Sequence, residues 1–299
     1  MALAHEFEYS RPSSLAEALR LLAEYQDRAK VLAGGTDLIV NIKEGMLKPE
    51  LLIDVKDIPE LRGIKQDGPT LRMGAAVTFC DLIASDEVRS GFQMLWDAAR
   101  TVASVGVRSR ATLAGNICSA VPSLDSAPPL LCYGAVVHCA SARGQRDISS
   151  EDFFLGPRKT ALAADELVTA ISVIRPAENN AGLYLKLGRY GGEDLAQAGW
   201  GFLLTESRQY RIAHCALAPK PARAKKIEAV LNGQPLTPQQ IDKACALVSE
   251  EISPITDIRS AREYRLHMSE VMLRRGLRAT QDRFEGKDVD PAKLLGGTA

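Results

Sequence analysis

Two glycine-containing segments constrain this chain more than any other feature of its sequence. The first covers residues 30–37 and the second covers residues 108–116. Each follows an apolar stretch and ends in small residues with one polar side chain, so each can bring bare backbone N–H groups close to an anion. Two such segments in one chain favour a cofactor that contains a diphosphate.

Neither segment matches a common phosphate-binding motif. The chain has no GxGxxG after its first predicted strand and no GxxxxGK(S/T), so its sequence supports neither a Rossmann dinucleotide site nor a P-loop. A double glycine is also typical of a tight turn that needs a positive φ. Taken singly, Gly34-Gly35 therefore leaves both interpretations open.

Charge and composition exclude several classes of protein. The chain has 299 residues and a formal net charge of +0, whereas nucleic-acid binders usually carry a basic excess. We therefore expect no nucleic-acid partner. The six cysteines are scattered without CxxC spacing, which favours reduced thiols over a metal site. The start of the chain has no signal-peptide pattern, and no stretch reaches the roughly 18 apolar residues of a membrane span. We expect a cytoplasmic protein without a membrane span.

Helical and strand patterns alternate through the first 60 or so residues. A capping box at Ser14 predicts a helix over residues 15 to about 25. Strands are predicted at residues 30–32 and 51–55, while residues 38–42 fit either a helix or a strand. These segments form a β/α unit in which the first glycine segment lies at the end of an element.

Further elements follow on both sides of a polar, turn-rich stretch at residues 176–182, which is the candidate domain boundary. Before it we predict strands at 71–75, 135–139 and 166–173 and helices at 82–88, capped by Thr78, and 94–102. After it we predict strands at 184–187 and 210–217, with an apolar patch at 198–204 between them, and helices at 222–231, 237–250 and 261–277. Residues 280–299 are charged and glycine-ended, so we expect partial disorder or contact with a partner there, and Trp200 is a second candidate for partner contact.

Several short motifs occur in an order that resembles one family. They are Phe7-Glu8-Tyr9 with Pro12, Ala33-Gly34-Gly35-Thr36-Asp37, Ile53-Asp54-Val55, Gly74-Ala75-Ala76-Val77-Thr78, Ala111-Thr112 through Asn116-Ile117, Asp125-Ser126-Ala127 and Glu263-Tyr264-Arg265-Leu266-His267. From about Phe7 to Leu277 the chain resembles the FAD-binding medium subunit of the molybdenum hydroxylases, the xanthine dehydrogenase and carbon monoxide dehydrogenase group. So many matching pieces in one order make chance similarity a poor explanation.

The resemblance implies an α+β fold with two domains. The first is a two-subdomain FAD-binding domain of the vanillyl-alcohol-oxidase (PCMH-like) type, over residues 1–178, with subdomains at about 1–57 and 58–178. A smaller C-terminal α+β domain would follow over residues 179–280, and residues 281–299 would form a tail. FAD would lie in the cleft between the subdomains, with both glycine segments facing its pyrophosphate.

The resemblance also implies a set of cofactor-binding residues, but no catalytic residue and no metal ligand in this chain. Backbone N–H groups of Gly34, Gly35 and Thr36 would donate to the pyrophosphate. Ala103 and Val107 would pack near the flavin ring, and Lys186 would lie near the isoalloxazine. Asp125 would accept from adenosine or ribityl hydroxyls, while Leu167 and Val168 would cover an adenine or ring edge. The full set is Lys30, Val31, Leu32, Ala33, Gly34, Gly35, Thr36, Asp37, Leu38, Thr78, Ala103, Val107, Thr112, Ala114, Gly115, Asn116, Ser119, Asp125, Leu167, Val168 and Lys186.

One position departs from the family pattern. The second segment of the family usually has two glycines before its polar residue, but this chain has Ala114-Gly115-Asn116. If residue 114 needs a positive φ, alanine there costs on the order of 1 kcal/mol, and its methyl group crowds a phosphate oxygen. We expect weakened FAD binding, which Ala114→Gly would tighten.

The function implied by the resemblance is electron transfer through FAD. A large molybdopterin subunit would hydroxylate the substrate, and 2Fe–2S clusters on a small subunit would pass electrons to this FAD. The flavin would then reduce NAD+, a quinone, oxygen or another acceptor, in a heterotrimer that pairs into a dimer of heterotrimers. Two alternatives stay open: a stand-alone FAD-dependent oxidoreductase of small molecules, and a flavin-free scaffold subunit.

Overall fold

Three main β-sheets and a two-stranded ribbon organise the residues that the computed structural model describes, 5–190 and 193–295. Helices pack on each main sheet, so the predicted α+β class is confirmed. No helix within those two ranges is long and apolar enough to cross a membrane. The predicted boundaries at residues 57 and 178 stay predictions, and residues 1–4 of the first domain lie outside the described part.

The first sheet has three parallel strands in the order β1-β3-β2. Its elements are β1 (Glu8–Ser10), α1 (Leu15–Tyr25), β2 (Ala29–Leu32), α2 (Leu38–Lys43) and β3 (Leu51–Asp54). The helix α1 begins where predicted, because the Ser14 hydroxyl accepts from the N–H of Glu17 at 3.3 Å and Ala18 and Leu22 are buried. The stretch that fitted either a helix or a strand forms the short helix α2.

The second sheet has five antiparallel strands in the order β4-β5-β10-β6-β7. Its strands and the ribbon are β4 (Ile64–Asp67), β5 (Thr70–Gly74), β6 (Val136–Ser141), β7 (Gly144–Ser149), β8 (Phe154–Gly156), β9 (Lys159–Thr160) and β10 (Leu167–Ile174). Its helices are α3 (Phe79–Ala84), α4 (Asp86–Gly91), α5 (Gln93–Thr101), α6 (Val105–Arg108), α7 (Leu113–Ser119), α8 (Ala127–Cys132) and α9 (Ser150–Phe153).

The helix predicted over residues 82–88 is wrong as a single element. The helix is interrupted at Ser85, whose backbone is extended with φ −76° and ψ 124°. The Ser85 side chain accepts from the N–H of Val88 and caps α4 as a new helix. A serine in a helical pattern can compete with the helix in this way, because its hydroxyl bonds nearby backbone groups.

The third sheet has four antiparallel strands in the order β11-β12-β13-β14, and helices pack on both of its faces. Its elements are β11 (Asn180–Leu187), β12 (Ala198–Thr205), β13 (Tyr210–Cys215), β14 (Ala222–Arg223), α10 (Lys225–Leu231), α11 (Pro238–Ala246), α12 (Val248–Glu251) and α13 (Arg262–Phe284). Along β11, Leu183 and Leu185 join the core that contains Met272 of α13, whereas Tyr184 joins the core of the first two sheets. The period-2 alternation of a strand therefore directs Tyr184 and Lys186 towards the second sheet and its helices.

Two expectations for partner contact need correction. Trp200 has 0% of its surface exposed, because β12 is buried along its whole length. It is a core residue and offers no surface to a partner. The last helix extends to Phe284, where Arg283 forms a buried ion pair with Asp97, so this part of the predicted tail is folded against the chain. Residues 296–299 lie outside the described part.

Candidate functional site

The two glycine segments meet in the structure. Gly34 lies against the backbone of Arg110 and Ala111, and a Cβ atom on Gly34 would collide with the Arg110 carbonyl. Only glycine fits there without moving one segment away from the other. The first segment continues from the end of β2 and the second runs into the first turn of α7, so this contact joins the first sheet to the helices of the second.

A side-chain hydrogen bond links the same two segments. The Ser119 hydroxyl donates to the Asp37 carboxylate at 2.6 Å, across 82 residues of sequence. Both residues belong to the predicted cofactor set. The structure therefore brings the ends of the two segments together, as well as their glycines.

The first segment presents a row of backbone donors. Gly35 adopts φ +75°, which glycine tolerates without strain, and the chain then turns into α2. Across the ranges that the structure covers, the N–H groups of residues 34–38 donate to no other protein group. Closely spaced N–H groups without partners form a concave site that suits an anion such as a pyrophosphate.

The second segment is the first turn of a helix rather than a loop. The Thr112 side chain caps α7 by accepting from the N–H of Gly115 at 3.0 Å. Ala114 lies inside α7, is not among the residues with positive φ and is 4% exposed. The premise of a strained alanine is therefore wrong, because a helical φ suits alanine better than glycine.

Thr78 lies beside Thr112, and its hydroxyl takes part in the cap of the helix that follows it. The two residues form an antiparallel bridge, supported by a hydrogen bond from the Phe79 N–H to the Ala111 carbonyl at 3.0 Å. The Thr78 hydroxyl donates to Asp81 at 2.7 Å in the capping box of α3. The pair thus joins the two stretches of backbone, and both hydroxyl oxygens accept from the backbone as helix caps.

Ala103 lies at a strained turn between α5 and α6, and Val107 lies within α6. Ala103 adopts φ +38°, which is uncommon for a residue with a side chain. The Arg108 guanidinium donates to the carbonyls of Val102 and Ala103 at 2.8 and 2.7 Å and so fixes this turn. Arg108 was not among the predicted site residues, although strained backbone of this kind is frequent at functional sites.

A buried polar cluster connects Asp125 and Lys186, the two predicted residues that carry opposite charges. The Lys186 ammonium donates to the Asp125 carboxylate and to the Thr101 carbonyl, each at 2.8 Å. The Tyr184 hydroxyl donates to the other carboxylate oxygen at 2.7 Å. The two charged side chains are 8% and 9% exposed. Lys186 is therefore not extended into solvent, and Asp125 is more than a turn residue.

Titration within this cluster follows from its burial. Burial raises the pKa of Asp125, while Lys186 and Tyr184 oppose that shift. Burial, followed by the charge of Asp125, raises the pKa of Tyr184 well above its usual 10.0, so the hydroxyl keeps its proton. The sequence analysis also missed Tyr184, although its spacing of two residues from Lys186 places both on one face of a strand.

Leu167 and Val168 lie at the start of β10. They are 5% and 3% exposed and belong to the same core as Leu113 and Ala114 of α7. The pairing of β10 with β6 shifts register between Val168 and Ala170. The strand β10 packs against α7 in this core, and contact of Leu167 and Val168 with a cofactor stays a prediction.

Comparisons with known proteins match nearly the whole length of the chain. The family described as the FAD binding domain in molybdopterin dehydrogenase matches residues 5–176, and that described as the CO dehydrogenase flavoprotein C-terminal domain matches residues 183–280. The caffeine dehydrogenase subunit beta of Pseudomonas sp. strain CBB1 is 31% identical over 291 residues, which cover 95% of this chain and 97% of that protein. The carbon monoxide dehydrogenase medium chain of Afipia carboxidovorans is 33% identical over 281 residues, which cover 93% and 97%.

A solved structure has the same fold over nearly the full length. It is the carbon monoxide dehydrogenase of Hydrogenophaga pseudoflava that lacks the Mo-pyranopterin moiety of the molybdenum cofactor. Its matching chain has a TM-score of 0.91 and 33% identity, and the match covers 95% of this chain and 99% of that one.

Proposed function

The chain belongs to the FAD-binding medium subunits of the molybdenum hydroxylases, as its sequence motifs predicted, and from this premise we propose that it is the electron-transfer subunit of such a complex. It would hold FAD and pass electrons from the 2Fe–2S clusters of a small subunit to an acceptor. The observation that carries this proposal is the junction of the two glycine segments, where unpaired N–H groups lie at the contact between Gly34 and Arg110.

The pyrophosphate of FAD fits the first glycine segment. N–H groups of residues 34–38 lack protein acceptors, and a diphosphate supplies acceptor oxygens for several of them. The bond between Ser119 and Asp37 fixes the distance between the segments. The chain's part in binding is thus to hold preformed donors, so little ordering is needed when FAD enters.

Lys186 suits the flavin end of the cofactor. An ammonium has three N–H donors, and Lys186 uses two of them on Asp125 and Thr101. The third is available to a ligand, and the strained turn at Ala103 follows two residues after Thr101, with Val107 in the next helix. Bound FAD supplies the redox chemistry, while the protein orients the ring and sets its electrostatic surroundings. A buried positive charge there favours added electrons on the ring.

The source of the electrons lies in partner subunits under this proposal. All six cysteines are free thiols, and residues 5–190 and 193–295 contain no group of three or more His, Cys, Asp and Glu that could hold a metal. We propose that a small 2Fe–2S subunit and a large molybdopterin subunit complete a heterotrimer, which pairs into a dimer. The acceptor would be NAD+, a quinone, oxygen or another oxidant, and the free thiols are consistent with the reducing cytoplasm.

Co-expression tests this assignment. The chain is purified alone and together with its small and large partner subunits, and visible spectra and iron content are recorded for both preparations. We expect flavin absorbance in both and iron–sulfur absorbance only in the complex. Iron retained by the chain alone, or turnover of a substrate by the chain alone, would contradict the proposed role and favour a stand-alone oxidoreductase.

A further inference from the structure

A cavity with a volume of about 720 Å³ lies beside the glycine segments. Four charged residues of the lining come from the first sheet and the connection after it, and they are Arg11, Lys56, Asp57 and Arg62. The other two are Asp81 of α3 and Arg110, which precedes α7. Of the predicted FAD residues, Thr78 and Thr112 reach this cavity, and their hydroxyls already serve as helix caps. The cavity is therefore distinct from the row of N–H donors.

The position of the cavity follows from the parallel sheet. Arg11 directly follows β1 and Lys56 follows β3, while the first glycine segment follows β2. Since the strands are parallel, all three connections lie at the carboxyl edge of the sheet, where ligands bind in open sheets of this kind. The strand order β1-β3-β2 puts the FAD segment at one end of that edge and Arg11 at the other.

The lining carries a surplus of positive charge. It contains four cationic side chains and two carboxylates, those of Asp57 and Asp81, and Lys56 is also paired with the buried Asp54 at 2.6 Å, so the surplus comes from the arginines. Asp57 is shared by Arg11 and Arg62, and Asp81 accepts from the backbone and hydroxyl of Thr78. Within the described residues the Arg110 guanidinium has no hydrogen bond or ion pair, although its carbonyl is fixed against Gly34. An unpaired guanidinium on an anchored backbone is well placed to bind an anion.

We propose that this cavity binds a phosphate-bearing small molecule of nucleotide size, separately from FAD. Its volume lies within the usual range of small-molecule pockets, roughly 300–1,000 Å³. Guanidinium groups match phosphate oxygens through paired N–H donors, and Arg110 and Arg62 both line the cavity. The ligand would lie beside the backbone of Arg110, on the side that faces away from Gly34. It would therefore be next to the FAD site without overlapping it.

Titration calorimetry on the full chain, saturated with FAD, tests the proposal with ADP and inorganic phosphate as probes. We expect ADP to bind, and Arg110→Gln to weaken that binding roughly tenfold or more, since one hydrogen bond to a charged group is lost. Arg62→Gln should weaken it as well. Arg72→Gln is the matched control, because Arg72 is an exposed arginine on β5 outside the cavity, and it should leave ADP binding unchanged.

Several results would overturn the proposal. If neither probe binds, or if the Arg110 and Arg72 variants bind ADP equally well, the cavity is not a phosphate site. If ADP binds only to flavin-free chain, it occupies the FAD site. If ADP fails to bind but Arg110→Gln reduces recovery of the partner subunits, the surface receives an acidic partner segment instead. Flavin content is measured on every sample, so loss of the proposed FAD function is seen separately.

Discussion

Arg283, in the last turn of α13, donates at 2.7 Å to the buried carboxylate of Asp97 on α5, a residue 186 positions earlier. The same guanidinium nitrogen also donates to the carbonyl of Gly182 in β11. At the last residue of α5, the Thr101 carbonyl accepts from Lys186. The third sheet and its helices therefore hold α5 at its middle and at its C-terminal end, which fixes the position of Lys186 relative to the turn at Ala103.

Loss of the Asp97 charge should destabilise the fold. Arg283 and Asp97 are 7% and 3% exposed, and burial raises the pKa of Asp97 to about 6, so the pair is ionised at pH 7.5. Asp97→Asn leaves the guanidinium buried without a counter-charge, and we expect it to lower the free energy of unfolding by roughly 3 kcal/mol. Urea unfolding at pH 7.5 measures this. The control is Asp86→Asn in an exposed pair with Arg89, which should change stability by less than about 1 kcal/mol; equal effects would contradict the prediction.

Stability should fall with acidity because of His214. Its side chain is 0% exposed, and burial lowers its pKa from 6.5 to about 4. Between these two values the unfolded chain binds a proton that the folded chain does not, so this contribution is present above pH 6.5 and is lost as the pH falls towards 4. The loss is at most about 1.4 kcal/mol per pH unit. Unfolding measured from pH 7 to 4.5 should show a shallower dependence in His214→Phe, and an unchanged slope would rule this cause out.

Gly34→Ala should release FAD. The added methyl group meets the backbone of Arg110 and Ala111, which cannot yield as a side chain can, so the two glycine segments must separate. We expect flavin content after gel filtration to fall several-fold. Gly156→Ala is the control, since a Cβ there has no neighbour within 4 Å. Full flavin retention by Gly34→Ala would show that the contact between the segments is not needed for binding.

Ala114→Gly should not improve FAD binding. Because Ala114 lies within α7 without a positive φ, glycine relieves no strain and weakens the helix by about 1 kcal/mol. Titration of the flavin-free chain with FAD should give an affinity equal to or below that of the unaltered protein. A tighter complex would restore the hypothesis that the alanine methyl crowds a phosphate oxygen.

Local signals in the sequence predicted much of the fold. The Ser14 cap placed the start of α1, and short apolar runs placed several of the core strands, because both signals depend on residues a few positions apart. The helical state of Ala114 was also encoded locally, since Thr112 is three residues before Gly115 and caps the turn, but the glycine pattern suggested a loop. The serine cap at Ser85 was obscured in the same way by an apolar pattern that continued past it.

Long-range polar contacts could not be predicted from local signals. Lys186 and Asp125 are 61 residues apart, and no periodic pattern relates residues at that distance. The prediction that Trp200 contacts a partner was wrong for a related reason. A tryptophan in an apolar run can lie at a surface or in a core, and only the sheet that buries it decides between the two. The sequence could thus suggest which residues belong to the candidate site, whereas the contacts between them depend on the tertiary fold.

The amount of FAD bound per chain tests the central claim most directly. The chain is purified alone, incubated with excess FAD, freed of unbound flavin by gel filtration and denatured, and the released flavin is quantified against protein. The account predicts close to one FAD per chain, with little retained by Gly34→Ala and full retention by Gly156→Ala. A colourless chain that takes up no added FAD would contradict the account and favour a flavin-free scaffold subunit.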